Sequence, residues 1–333
     1  MFGVTVVVPS WNRRDLTDRL LGQLRAQAHP IIEVIVVDNG SRDGSAEAAR
    51  EHGARVIEMG RNTGFTGAVN RGIEETGTDL VAVVNNDVDI EPDWLERLVR
   101  VMADPSVWFA TGKLLSRSEP EALDGTFDTL SRGGCAWRAG HGSRDGPLWS
   151  LERRISFASF TATLFRTSLF RKVGLLDERF KSYLEDVDFG LRCAGYGYFG
   201  LYVPDAVARH QGSATLGKWH KNIVRLMARN QVLLVAKHYP ARYLFRYGWP
   251  IFVAQTLWGL VAAAHGRPVS FLRGKIEGLA LFPSVRHDAA RNGGWRPGLS
   301  RVIEQSESEI YTLQRRAGFD LYWRLYFMLT SRP

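Results

Sequence analysis

An α/β fold, with a mostly parallel sheet flanked by helices, is predicted by two features of the chain. Short apolar runs alternate with helical spacings over the first hundred residues, and parallel strands need such crossover connections. One of those runs, Val81-Ala-Val-Val84, closes on Asn85-Asn-Asp-Val-Asp89. A buried parallel strand reads this way, and ligands in open α/β sheets sit beyond the carboxyl ends of such strands.

Val4 to Val8 is the first strand, and Leu16, Leu20, Leu21 and Leu24 repeat at helical spacing behind it. Val34 to Val37 is the second strand, and Ser45 caps a short helix that stops before Gly53. Arg55 to Glu58 is a third strand, a helix follows near Thr66 to Glu75, and Leu80 to Val84 is the fourth strand. Asp89 is either a cation ligand or the cap of a helix over Pro92 to Ala103. Between Arg132 and Pro147 the chain is Gly-rich, basic and loop-like, the kind of stretch that more often carries function than structure. Strand character returns at Ile155 to Phe165, a short helix spans Ser168 to Val173, and Tyr198 to Val203 with Ala206 to Arg209 reads as strand. After His210 the pattern is helical to about Phe282, and the last fifty residues are Arg-rich without a motif.

The chain of 333 residues is long enough for a substantial core. Its two cysteines have no metal-site spacing and give no disulfide framework, which fits a reducing cytoplasm. The net charge of +8 is concentrated: Leu216 to Pro283 holds ten Lys/Arg against Glu277 alone, hence +9, and the remainder sums to −1. Tryptophans and tyrosines are interleaved with these cations, a composition suited to an anionic membrane surface. No nucleic-acid-binding signature accompanies it. The uncharged run Trp249 to Ala264 is about four residues short of a bilayer span, so it either lies in an interface or packs internally.

Three clusters carry chemistry. The first is the pair Asp87 and Asp89, hard oxygen ligands suited to Mg²⁺ or Mn²⁺. Next, Asp38 ends the second strand in Val36-Val-Asp-Asn-Gly-Ser-Arg-Asp-Gly44. It suits an Asx turn, or a uracil or thymine imide N–H or a ribose hydroxyl. The third, Glu185, Asp186 and Asp188, opens a helix, with one of Glu185 and Asp186 expected to face the cleft; His210 ends a later strand beside these carboxylates. Arg61-Asn-Thr-Gly-Phe-Thr-Gly-Ala-Val-Asn70 runs into a helix N-terminus, where Asn62, Gly64 and Asn70 either contact nucleotide or serve turn and packing. The first turn, Pro9-Ser-Trp-Asn-Arg-Arg14, lacks the GxGxxG of a dinucleotide-binding fold, and no P-loop ending is present.

In this order, Val6-Val-Val-Pro-Ser-Trp-Asn-Arg13, Val36 to Gly44, Asn62 to Gly72, Asn85-Asn-Asp87, Glu185-Asp-Val-Asp188 and His210-Gln-Gly-Ser-Ala-Thr215 resemble the inverting, nucleotide-sugar-dependent glycosyltransferases of family 2, which have the GT-A fold. The resemblance implies a GT-A catalytic domain over residues 1–215, with nucleotide-sugar binding over about 1–115 and the acceptor side over about 116–215, and a helical, basic region over 216–333. It assigns nucleotide contacts to Pro9, Ser10, Asn12, Arg13, Asp38, Asn62, Gly64, Asn70 and Asn86, with Asp38 on the base. Asp87 matches the metal-binding end of the DxD-type motif, with Asp89 and His210 as further ligands for Mg²⁺ or Mn²⁺. Asp186, beside Glu185, matches the general base.

The Asn-Asn-Asp form of the motif, with the His-x-x-Ser-x-Thr sequel, is most similar to the bacterial rhamnosyltransferase branch. That likeness implies a dTDP-rhamnose or UDP-sugar donor and a glycan or lipid-linked acceptor in cell-surface polysaccharide synthesis. The expected location is cytoplasmic, peripheral on the inner face of the plasma membrane, with homo-oligomerisation open. The other reading of the chain is a non-catalytic nucleotide- or glycan-binding scaffold on the same fold.

Overall fold

The computed structural model describes residues 2–212, 219–291, 296 and 298–330. Its first half follows the expected alternation: β1 (Val4–Ser10), α1 (Arg14–Arg25), β2 (Glu33–Asp38), α2 (Ser45–Glu51), β3 (Arg55–Glu58), α3 (Phe65–Glu74) and β4 (Leu80–Val84). Then come β5 (Val88–Ile90), α4 (Trp94–Val101), β6 (Val107–Ser116), β7 (Leu123–Gly125), β8 (Asp128–Leu130), β9 (Ala136–Arg138), β10 (Arg153–Ile155), β11 (Ala162–Arg166), α5 (Thr167–Val173), α6 (Glu185–Gly195) and β12 (Phe199–His210). The remainder is helical: α7 (Lys221–His238), α8 (Ala241–Arg246), α9 (Gly248–Ala264), α10 (Pro268–Arg291), α11 (Leu299–Ala317) and α12 (Leu321–Leu329).

The main sheet runs β10-β12-β6-β11-β4-β1-β2-β3, with β5 on β12 and β7 on β6. β1 through β4 are mutually parallel, and β12 lies parallel to β6. β11 is antiparallel to both β4 and β6, so the sheet is mixed. Valines at alternate positions of β1 point to opposite faces: Val4, Val6 and Val8 pack against α1 and α4, while Val7 joins Val69, Phe165 and Phe189 on the other side. Two covered faces explain why the strand reads as an unbroken apolar run. Each fully buried valine or leucine contributes roughly 1.5–3 kcal/mol.

Several elements differ from the sequence reading, each for a local reason. Ser45 is the first residue of α2, behind a left-handed Gly44, and its hydroxyl donates to Asp43. Asp89 lies in β5 opposite Arg209, so it caps nothing, and α4 begins only after Asp93. The stretch Ile155 to Phe165 is two strands, separated by a turn in which Ser159 and Thr161 bond each other. Within the Gly-rich stretch Arg132 to Pro147, residues 136–138 form β9, which pairs with β8 as a hairpin. The Arg-rich tail forms α11 and α12, which bury Ile303, Ile310, Trp323 and Tyr326.

The helical region shares a core with the sheet region. Leu130, Phe157, Phe180, Leu184 and Val187 pack with Leu233, Leu234, Tyr239 and Ile303. The helices therefore brace the segment that leads into α6, where the acidic cluster begins. The expected boundary at residues 215 and 216 lies outside the described residues, as do Ser213 to Thr215 of the sixth matching segment.

Candidate active site

The parallel register aligns Ser10 with Asp38 at the carboxyl edge of the sheet. Asp38 Oδ2 accepts from the Ser41 main-chain N–H at 3.0 Å, the Asx turn allowed by the sequence. Its Oδ1 is buried without a partner. A buried acceptor left open is costly unless a ligand donor reaches it, so the turn occupies one carboxylate oxygen and leaves the other open to a ligand donor. Asn12 ties the first turn to the second: its N–H donates to Ser41 Oγ at 2.8 Å, and its Oδ1 accepts from Arg42 N–H at 3.0 Å. Asn12 and Arg13 both have positive φ, 53° and 71°. Pro9, one residue before the end of β1, lies beside Val37.

The third loop is built by amides. Asn39 bonds Asn62, Thr63 and the Gly64 carbonyl, and Asn62 Oδ1 accepts from Gly64 N–H at 2.9 Å. Gly64 has φ of 89°, and a Cβ there would lie 3.0 Å from the Lys181 carbonyl, so only glycine fits. Asn70 departs from its expected role. Its amide donates to the Leu176 carbonyl and accepts from the Leu176 N–H, both at 2.9 Å, and it is buried. It fastens the loop ahead of the acidic cluster and has no amide group left for a nucleotide. Asn86 donates to Thr17 and Ser10 hydroxyls at 3.2 and 3.4 Å, supporting the first turn from below.

Asp87 meets His210 Nε2 at 3.3 Å, and His210 Nδ1 meets Asp124 Oδ2 at 2.8 Å. Burial disfavours charge on His210, but hydrogen bonds to Asp124 and Asp87 outweigh it and push the imidazole up to about 9. Asp124 is pulled down to about 2, because His210 and then Arg138 outweigh its burial. Asp89 is not part of this group: Arg19 at 2.5 Å, Gln23 at 3.0 Å and Arg117 at 3.5 Å occupy its carboxylate. The expectation that Asp89 is a ligand is corrected on that ground. Among the described residues no three His, Cys, Asp or Glu side chains converge as a metal cage. Asp87 and His210 fit a Mg²⁺ or Mn²⁺ ion that takes its remaining ligands from a diphosphate and water, the common habit of such ions. Asp124 is then the partner that orients the imidazole through its other nitrogen.

Arg138 links this group to the acidic cluster. Its guanidinium lies 3.6 Å from Asp124, 3.3 Å from Asp128 and 4.0 Å from Asp186, and donates to Ser159 Oγ at 2.8 Å. Asp186 is pushed up to about 7, chiefly by burial and then by the like charge of Asp128, with Arg138 opposing. Glu185 is driven well above the carboxylate range by burial and then by Asp186, and its Oε2 has no partner. The two adjacent acids thus differ: Glu185 is 6% exposed, while the Asp186 side chain keeps 14% and faces Arg138. Asp188 is fully buried in a separate network with Arg192, Lys237 and His238, which hold its carboxyl well below the usual range despite burial.

The backbone entering α6 is strained. Lys181, Tyr183 and Leu184 have φ of 62°, 71° and 65°, a left-handed conformation that costs of order 1–3 kcal/mol per non-glycine residue. Asn230 of α7 holds this turn, its amide reaching the carbonyls of Phe180, Ser182 and Tyr183 at 2.7–3.0 Å. Arg229 adds bonds to the carbonyls of Arg179 and Phe180.

Asp124, Asp128, Arg138, Ser159 and Asn230 escaped the sequence reading. Asp124 and Asp128 sit in Leu-Asp-Gly-Thr-Phe-Asp, which resembles any polar turn, and only the basic, Gly-rich character around Arg138 marked that stretch.

The model of the family described as "Glycosyl transferase family 2" matches residues 5–174, which spans β1 through the α5 end and includes Asp38, Asp87, Asp124 and Arg138. The chain belongs to glycosyl transferase family 2. It is 28% identical over 266 residues to the N-acetylglucosaminyl-diphospho-decaprenol L-rhamnosyltransferase of Mycobacterium tuberculosis, covering 72% of this chain and 82% of that one. It is 29% identical over 219 residues to the pre-mycofactocin glycosyltransferase of the same organism, covering 65% of this chain and 44% of that protein. Among solved structures, GalNAc-T7 with UDP, GalNAc and Mn²⁺ aligns at a TM-score of 0.64 and 13% identity, covering 96% of this chain and 58% of that one. The mannosyltransferase PcManGT from Pyrobaculum calidifontis, in complex with GDP-Man and Mn²⁺, aligns at 0.53 and 17%, covering 98% and 86%. The fold is shared with these GT-A glycosyltransferases, as the motifs implied.

Proposed function

We propose that this family 2 glycosyltransferase transfers a sugar, rhamnose from dTDP-rhamnose or a sugar from a UDP-sugar, with inversion, to a lipid-linked or glycan acceptor of cell-surface polysaccharide. The observation that carries the reading is Asp186, partly exposed, with its carboxyl raised to about 7 beside Arg138. A base matched to neutral pH is what deprotonation of a sugar hydroxyl calls for.

In this mechanism Asp38 Oδ1 accepts the imide N–H of a uracil or thymine ring. Asn12 and Arg13 frame the first turn, and Asp87 with His210, which lie side by side, would hold Mg²⁺ or Mn²⁺. When bound, the ion acts as a Lewis acid toward the departing diphosphate charge. Asp186 takes the acceptor hydroxyl proton as that oxygen forms its bond to the anomeric carbon. The bond from this carbon to the diphosphate oxygen breaks on the opposite face, and its electron pair leaves with the nucleoside diphosphate. Glu185, whose neutral form is favoured, supports Asp186 without competing for the proton.

On this reading residues 1–215 are the catalytic part and 216–333 the part that meets the acceptor's membrane, on the inner face. No described helix is long and apolar enough to cross a bilayer. The test is nucleoside diphosphate release from dTDP-rhamnose and UDP-sugars with a lipid-diphosphate sugar acceptor and Mn²⁺. Wild type should release it and Asp186→Asn should not, while both bind nucleotide equally; equal turnover by the variant would remove Asp186 from the mechanism.

A further inference from the structure

α10 is built with its apolar side outward. Val269, Leu272, Ile276 and Leu279 recur at spacings of three and four, one stripe of a helix, and all four are exposed, Ile276 at 67% and Leu279 at 61%. A stripe of that kind normally faces a core. Here the opposite side of α10 lies against α7 through Gly274 and Gly278. A Cβ at Gly274 would stand 2.2 Å from the Arg225 carbonyl, and one at Gly278 2.9 Å from the Arg229 carbonyl. Contact that close fixes the helix's rotation, so the stripe cannot turn inward.

α9 continues the same surface. It packs beside α10 and α12, with Trp249 and Phe252 exposed and stacked at 5.7 Å. Trp249 Nε1 donates to the Leu329 carbonyl at the end of α12. An apolar surface spanning adjacent helices is larger than the scattered apolar residues of an ordinary monomer.

We infer that the outward faces of α9 and α10 form a monotopic docking surface that inserts into an anionic lipid bilayer. The charge decides the occupant. The segment Leu216 to Pro283, which contains α9 and most of α10, carries +9, and Arg242, Arg267 and Arg273 are exposed near the ends of these helices. Acidic headgroups neutralise such a face, whereas a second copy would oppose it with the same charge. Of the two acidic residues in α9 and α10, Glu277 is taken by Arg225 and Arg273 and Asp288 by Arg179. The surface deepens the reading of a lipid-linked acceptor and rests on it for its purpose, though not for its physics.

The experiment is co-sedimentation of the full chain with vesicles of phosphatidylcholine and phosphatidylglycerol, against pure phosphatidylcholine, at low and high salt. The wild type should bind the anionic vesicles, less at high salt, and Ile276→Asp/Leu279→Asp should bind at least about tenfold more weakly. Both side chains are exposed, so circular dichroism should be unchanged; Ile276→Ser/Leu279→Ser repeats the test without added charge. Unaltered binding by both double variants, no binding by the wild type, or a stable wild-type dimer that these substitutions dissociate overturns the inference. Nucleoside diphosphate release in vesicle-free buffer tests the transferase reading separately, so each can fail alone.

Discussion

The acid limb of the rate profile should be set by the burial of one carboxylate and two charges beside it, and each charge can be changed separately. Asp186 titrates near 7 because burial and Asp128 raise it while Arg138 lowers it. The Arg138 guanidinium stands 4.0 Å from Asp186 Oδ2. At an effective dielectric of about 20, unit charges at that distance interact by roughly 4 kcal/mol, or about three pH units. With the two side chains 28% and 14% exposed, solvent and salt screen much of this. A shift of about 1–2 units is the reasonable expectation. Arg138→Gln should therefore move the acid limb of kcat/KM up by that amount, and Asp128→Asn should move it down by a similar one. The assay is initial-rate nucleoside diphosphate release across pH 5 to 10 at saturating Mn²⁺, with Arg138→Lys as the charge-retaining control. Parallel loss of rate at every pH, with the limb unmoved in both variants, would refute the electrostatic account of Asp186.

Four further outcomes follow from the same geometry. Asp186→Asn should stabilise the protein at alkaline pH. A carboxyl whose folded pKa is about 7 against an ordinary 3.8 costs nothing below 3.8 and its full penalty above 7. Urea unfolding should show a gain on the order of 2–4 kcal/mol at pH 8 that vanishes near pH 4, and no difference between the two pH values would contradict the raised pKa. Asn230→Ala frees three carbonyls of a strained turn, so it should lower thermal stability by about 1–3 kcal/mol and reduce kcat more than KM, as steady-state kinetics can read. Asp124→Asn should raise the Mn²⁺ concentration for half-activation about 10–100-fold, through loss of the partner that orients His210. Asp38→Ala should weaken nucleotide binding in calorimetry by about tenfold or more, and through loss of the Ser41 N–H bond it should lower stability by about 1 kcal/mol.

The sheet's first half was legible because β1 to β4 are local, continuous apolar runs whose pattern follows directly from burial on two faces. The antiparallel insertion of β11 was not, since a strand's direction leaves no mark on its side-chain pattern. At the site, residues at the ends of parallel strands could be read from the abrupt change from valine to aspartate at Asp38 and Asp87. Asp89 and Asn70 misled for a shared reason. A polar residue near such an edge reads the same whether it faces the cleft or a neighbouring element, and Arg19 and Leu176 make that choice here. Arg138 and Asn230 were hidden because their roles depend on contacts across long sequence separations, which spacing does not encode. The outward apolar stripe of α10 was concealed by its ordinary helical period, because only the packing of Gly274 and Gly278 reveals which side is turned outward.

The anomeric configuration of the product bears most directly on the whole account. Proton NMR of the product made from dTDP-rhamnose, or from the UDP-sugar that proves to be the donor, should show inversion relative to the donor, with no product from Asp186→Asn. Retention of configuration, or a product formed equally by that variant, would contradict a single displacement with Asp186 as base.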